Sequence, residues 1–209
     1  MLTTLTAPHT ISAEILSELR SRPLPEHLHN LPAPHIGLII GDPLSRTTKH
    51  AEALQHFLTE VDKLTEAAGS FWIIGSRRTP PEVMEALKQH LKNKPHWLWQ
   101  GQGQGENPYK LILARADALA VTADSHNMVG EALATGSEVI PITPLAINPK
   151  LGRFIQKLKV DGYVKSPVDI TGKPQSIVSQ PGQNRPPLDA TKEIAAAIRL
   201  KMAEHAKAL

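Results

Sequence analysis

Five short, mostly apolar runs alternate along this chain with stretches in which apolar residues return every third or fourth position. The runs are Ile36 to Ile40, Phe71 to Ile74, Trp97 to Gln100, Ala118 to Val121 and Val139 to Ile142. Each is too short for a helix, and most lack the polar alternation of a half-solvated strand, as expected of strands buried on both faces of a parallel sheet. Between them Ala51, Leu54, Phe57, Leu58, Val61 and Leu64 recur at helical spacing, followed by Val83, Met84, Leu87 and Leu91 and then by Tyr109, Ile112 and Leu113. Leu151, Phe154, Ile155 and Leu158 repeat the pattern after the last run. Strands alternating with helices predict an α/β fold, a Rossmann-like parallel sheet with helices on both faces.

The ends read differently. A weak helix, Ser12 to Arg20, precedes the Pro-punctuated stretch SRPLPEHLHNLPAPH, which reads as a linker or domain boundary. The expected division is an N-terminal helix and linker over 1–34, a Rossmann-like domain over 35–160, and an extended segment with a C-terminal helix over 161–209. In that last part Asp161 to Pro187 is polar and rich in Pro and Gly, so an extended stretch is expected. Asp189 can cap a helix carrying Ile194, Ile198 and Met202.

Ligands of such sheets bind at the carboxyl ends of the strands, so the exit loops matter most. After Val121 the turn Thr122 to Asn127 leads into a helix whose Met128, Val129, Ala132 and Leu133 form a packing face, with Gly136 ending it. Asp124 or Ser125 can cap this helix, and its free N–H groups favour an anion. Glu131, about two turns in, lies near the side of Asn127 and Met128. There it either accepts hydrogen bonds from paired ribose hydroxyls or is a solvated helix residue.

The loop after Ile74 offers Ser76, Arg77, Arg78 and Thr79. Arg presents paired donors to phosphate oxygens, which suits a diphosphate, and one of the two arginines is expected to face solvent. Thr79 with Glu82 reads as a capping box, with Pro80 and Pro81 in the first turn. The first exit loop carries Gly41, then Asp42; Arg46 and Lys49 add positive charge there or are merely solvated. The stretch GQGQGENPY, Gly101 to Tyr109, lacks the spacing of a dinucleotide fingerprint and reads as a flexible loop, with Asn107 capping the next helix.

Ala116, Asp117, Leu119, Val121 to Ser125, Met128, Glu131, Ala132, Thr135, Gly136 and Val139 together resemble the signature of the mitochondrial-fission family named for elongated mitochondria. That family's fold resembles the GT-B glycosyltransferases. The same segment is similar, more loosely, to the donor-binding region of nucleotide-sugar transferases such as the peptidoglycan N-acetylglucosaminyltransferase. Ser76 to Pro81 also matches, since serine or threonine, arginine and Thr-Pro-Pro occur together in the family.

The resemblance implies the C-terminal half of a GT-B fold and a UDP- or GDP-linked nucleotide sugar as ligand. It places Glu131 on the ribose. Thr122, Asp124, Ser125, His126, Asn127 and Met128 then hold the diphosphate, with Gly41 and the Ser76 to Thr79 loop beside them. GT-B enzymes take their general base from the other domain, so no catalytic residue is named here. An N-terminal acceptor domain or a second copy of the chain is the expected partner. The alternative is a non-catalytic adaptor on the same scaffold. His126 and Asn127 stand where small residues are common, Asp42 follows Gly41 where glycines pair, and Ser137 and Glu138 replace a usual Lys-Pro.

Composition narrows the remainder. With 209 residues the chain can bury one good core, and its net charge of +3 is scattered, which argues against nucleic acid. Cysteine is absent, removing disulfides and thiolate metal sites. Asp124 and His126 offer two metal ligands on one turn but no third at sensible spacing, so neither metal nor cofactor is expected. No Ser, His and Asp order or nucleophile elbow supports hydrolysis. No apolar stretch reaches the roughly 20 residues of a membrane span, and a cytoplasmic location is the expectation.

Overall fold

The computed structural model describes residues 4–101, 103, 105–168, 176 and 186–206. All five apolar runs form strands, though Gln100 falls outside the third: β1 (His35–Ile40), β2 (Ser70–Gly75), β3 (His96–Trp99), β4 (Ala118–Thr122) and β5 (Glu138–Ile142). They pair in parallel in the order β3-β2-β1-β4-β5. The helices are α1 (Ala13–Ser21), α2 (His50–Asp62), α3 (Pro81–His90), α4 (Tyr109–Arg115), α5 (His126–Leu133), α6 (Pro149–Val160) and α7 (Ala190–Ala206). The chain builds outward from β1 through β2 to β3, then returns to add β4 and β5 on the other side. The order therefore reverses between β1 and β4, the place where open α/β sheets gather their ligand loops.

Alternation along the strands sorts the core into two layers. Ile36, Leu38, Ile40, Phe71, Ile73 and Ala120 face a layer closed by Phe57 and Val61 of α2 and Val83 and Leu87 of α3. Ile39, Trp72, Ile74, Leu119, Val121 and Val139 face the other. That layer is closed by Leu16 of α1, Ile112 and Leu113 of α4, Val129 and Leu133 of α5, and Ile155 and Leu158 of α6. Each large side chain fully buried in this way contributes about 1.5–3 kcal/mol, so neither layer is dispensable.

The Pro-punctuated N-terminal segment lies against the second layer. Arg20 donates from Nε to the carbonyl of Ala114 (3.0 Å) and from Nη2 to that of Thr135 (3.1 Å). Arg115 returns the contact, donating from Nη1 to the carbonyls of Arg20 and Arg22 at 2.7 and 2.9 Å. Leu28 is buried in the same core. At the other end Asp189 accepts from the Lys192 N–H (2.9 Å), as its capping role requires. The Thr191 hydroxyl accepts from His9 N–H and donates to His9 O, which pins the first turn of α7 to the N-terminal segment. Farther along, Ile198 and Met202 are exposed.

One local expectation is corrected. Thr79 does not cap α3: its hydroxyl accepts from Ser76 N–H (2.7 Å) and donates to Ile40 O (2.7 Å), and Pro80 stands at the N-cap without a side-chain bond. The hydroxyl joins neighbouring strand ends instead of closing a helix. Most of the expected extended stretch, 169–175 and 177–185, lies outside the described residues, as do 102 and 104 of the glycine loop. Among the described residues no helix is long and apolar enough to cross a membrane.

Candidate functional site

The carboxyl edge of the sheet is tied together at the reversal point. Gly41 N–H donates to the Thr122 hydroxyl (2.7 Å), which donates to Asp124 Oδ1 (2.7 Å), while Asp42 N–H donates to Asp124 Oδ2 (3.0 Å). Both loop N–H groups are thus spent on the chain's own acceptors. Gly41 is glycine for a steric reason: a Cβ there would lie 2.3 and 2.4 Å from the two Asp124 oxygens. The Asp124 side chain is 3% exposed and also faces Arg78 Nη2 at 3.1 Å. Thr122, Asp124 and Gly41 therefore form a latch between β1 and β4.

On one side of this latch opens a cleft of about 1060 Å³. Its walls come from the ends of β2 and β3, the starts of α3 and α4, and the inner side of α5. Ser76, Arg77, Thr79, Trp99, Met128 and Glu131 all line it. The Tyr109 hydroxyl donates to Glu131 Oε2 across this cleft, and among the described residues no partner is seen for Oε1. Burial, then the hydrogen bond and charge of Glu131, push the Tyr109 phenol well above its usual range, so it stays a donor at any physiological pH.

A second cleft, about 590 Å³, opens on the far side of the latch. Arg46, Arg78, Asp124, His126 and Lys150 line it, with Phe154 at its floor. The His126 ring lies on Phe154, with centroids 4.1 Å apart. Burial lowers the His126 pKa and keeps the ring neutral near pH 7.

The first turn of α5 separates the two clefts. Of the two cap candidates it is Ser125 that serves, its hydroxyl accepting from Met128 N–H at 3.5 Å. Among the described residues the N–H groups of His126 and Asn127 have no hydrogen-bond partner. Asn127 is exposed beside it.

The structure thus divides the residues expected from sequence into four groups. Ser76, Arg77, Thr79, Met128 and Glu131 share the first cleft; Arg78, Asp124 and His126 share the second; Gly41 and Thr122 belong to the latch itself, and Ser125 and Asn127 stand at the start of α5. The two adjacent arginines go to different clefts, and both are exposed. Sequence reasoning missed Tyr109, which the helical pattern assigned to the core. A phenol beside a carboxylate-bearing helix was the available signal, since a buried Tyr hydroxyl needs a partner. Among the described residues no cluster of three His, Asp or Glu could hold a metal ion.

Comparison with known proteins adds one consistent match. The family model described as "Mitochondrial fission ELM1" matches residues 1–202. The mitochondrial fission protein ELM1 of Arabidopsis thaliana is 30% identical over 174 residues, which is 83% of this chain and 39% of the relative. The chain therefore spans about two fifths of the length of that relative. No solved structure matches.

Proposed function

This chain belongs to the mitochondrial fission ELM1 family, and from that premise we propose that it binds a nucleotide sugar at the carboxyl edge of its sheet. The observation carrying this reading is Glu131, a carboxylate in the first cleft with one oxygen fixed by Tyr109 and the other facing no described partner. A fixed carboxylate is a pure acceptor and pairs naturally with the vicinal hydroxyls of a ribose.

The neighbours suit the remaining parts of such a ligand. Trp99 offers a flat ring for a base, a contact worth about 1–3 kcal/mol where bases stack on aromatics. Arg77 and the first N–H groups of α5, without partners among the described residues, supply donors and positive potential for the diphosphate. The cleft volume lies just above the roughly 300–1,000 Å³ of pockets that hold small organic ligands.

Glycosyl transfer would also need an acceptor and a general base. We assign both to a partner domain or second copy, with this chain supplying the donor site. Isothermal titration of the full chain with UDP- and GDP-sugars tests the reading. Saturable binding that weakens on Glu131→Ala and on Arg77→Ala supports it. Absence of binding by the wild-type chain, or binding indifferent to both substitutions, contradicts it and favours the non-catalytic adaptor.

A further inference from the structure

Charge is unevenly placed in the second cleft. Three cationic side chains, Arg46, Arg78 and Lys150, line it against one carboxylate, Asp124. Arg78 pairs with that carboxylate. Arg46 and Lys150 have no anionic partner among the described residues. The neighbouring imidazole, His126, adds no charge near neutral pH, because burial lowers its pKa. Among the described residues, two unbalanced positive charges therefore face one cavity.

The loop carrying Arg46 is held in place at some cost. Arg46 has φ of 67°, in the left-handed region that side chains with a Cβ rarely adopt. Such a residue is strained and persists only where its surroundings enforce it. Here the Asp42 turn does so: Leu44 N–H donates to Asp42 Oδ1 (3.1 Å) and Ser45 N–H to Asp42 O (3.2 Å). The Asp42 N–H is in turn tied to Asp124, so the latch itself sets where Arg46 stands.

The same cleft is also lined by apolar residues, Ile147, Leu151 and Phe154, on the segment that carries Lys150. A bare oxyanion is only a few times the roughly 30 Å³ share of one water, and would leave most of this cavity empty. An organic body attached to the anion would cover these apolar residues.

We propose that the second cleft is a separate binding site for an organic phosphomonoester, its phosphate on Arg46 and Lys150 and its apolar body against Phe154 and Leu151. A phosphomonoester carries about −1.5 to −2 charges at pH 7, which matches the two unpaired cations. The site is distinct from the nucleotide site proposed above and stands or falls without it.

Phenyl phosphate is the probe, titrated calorimetrically into the full chain at low salt. Saturable binding is expected, weakened at least tenfold by Lys150→Ala and by Arg46→Ala, unchanged by Glu131→Gln, and not displaced by saturating UDP. Both cations are exposed, so unchanged thermal midpoints check that the variants fold. Three results would overturn the assignment. They are no saturable binding, equal binding by the Arg46→Ala/Lys150→Ala double variant, and displacement by UDP, which would make the cleft an extension of the nucleotide site. Inorganic phosphate binding as tightly as phenyl phosphate would refute the organic body.

Discussion

The Tyr109 hydroxyl donates to Oε2 of Glu131, joining the first turn of α4 to the middle of α5 across the larger cleft. A Tyr109→Phe variant keeps the ring and its packing but removes the donor. A hydrogen bond to a charged group contributes about 1.5–3 kcal/mol, so nucleotide affinity should fall roughly tenfold or more if this bond orients the carboxylate. Titration of the variant with UDP checks it, with the thermal midpoint as control. An unchanged affinity would mean that Glu131 needs no such support.

Gly41→Ala sets a methyl group against the Asp124 carboxylate, which cannot withdraw without losing the Asp42 N–H and the Thr122 hydroxyl. Overpacking of this kind costs about 1–3 kcal/mol. For a chain of this length each kcal/mol lowers the thermal midpoint by about 2–4 °C. A differential scan reads the shift, and a variant as stable as wild type would contradict the latch.

The Arg78 and Asp124 pair gives an asymmetric expectation. The Arg78 side chain is 54% exposed and that of Asp124 is 3% exposed. Solvent screens the pair from the arginine side, so Arg78→Ala should cost about 0–1 kcal/mol. Asp124→Ala leaves the Asp42 N–H and the Thr122 hydroxyl without their acceptor, at about 1–3 kcal/mol for each group that stays buried. Urea denaturation of the two variants checks the order. Equal losses would mean that the ion pair, and not the latch, is the stabilising element.

Burial lowers the pKa of His126, and it lowers that of His35 with Asp117 acting in the opposite direction. The unfolded chain then binds more protons than the folded one as pH falls through about 6.5. Stability contributed by these neutral rings is present above that pH and is lost below it. Urea midpoints at pH 7.5 and 5.5 should show the decline, and His126→Gln and His35→Gln should each flatten it. A wild-type midpoint that rises on acidification would reverse the sign.

Much of the fold was legible because burial on both faces leaves a plain record. Ile36 to Ile40 and Phe71 to Ile74 have no polar residue to spare, and the observed strands exceed those runs by one or two residues. The latch was not legible. Gly41 and Thr122 stand 81 residues apart in sequence, and only the pairing of β1 with β4 brings them within hydrogen-bond reach of each other. Thr79 misled for a related reason: Thr-Pro-Pro-Glu fits a helix cap, yet an acceptor on the neighbouring strand, Ile40 O, claimed the hydroxyl. Arg77 and Arg78 could not be separated by spacing, because adjacent residues in an irregular loop have no fixed angular relation. The glycine loop, by contrast, shows positive φ at Gly101, Gly103 and Gly105, in keeping with an irregular connection.

The most direct measurement compares UDP with 2′,3′-dideoxy-UDP by calorimetric titration of the wild-type chain and of Glu131→Ala. If the Glu131 carboxylate holds the ribose diol, the wild-type chain prefers UDP by about tenfold or more, the worth of a charged hydrogen bond, and the variant binds both equally. Equal binding of the two ligands by the wild-type chain, or a preference that survives in Glu131→Ala, would contradict the account.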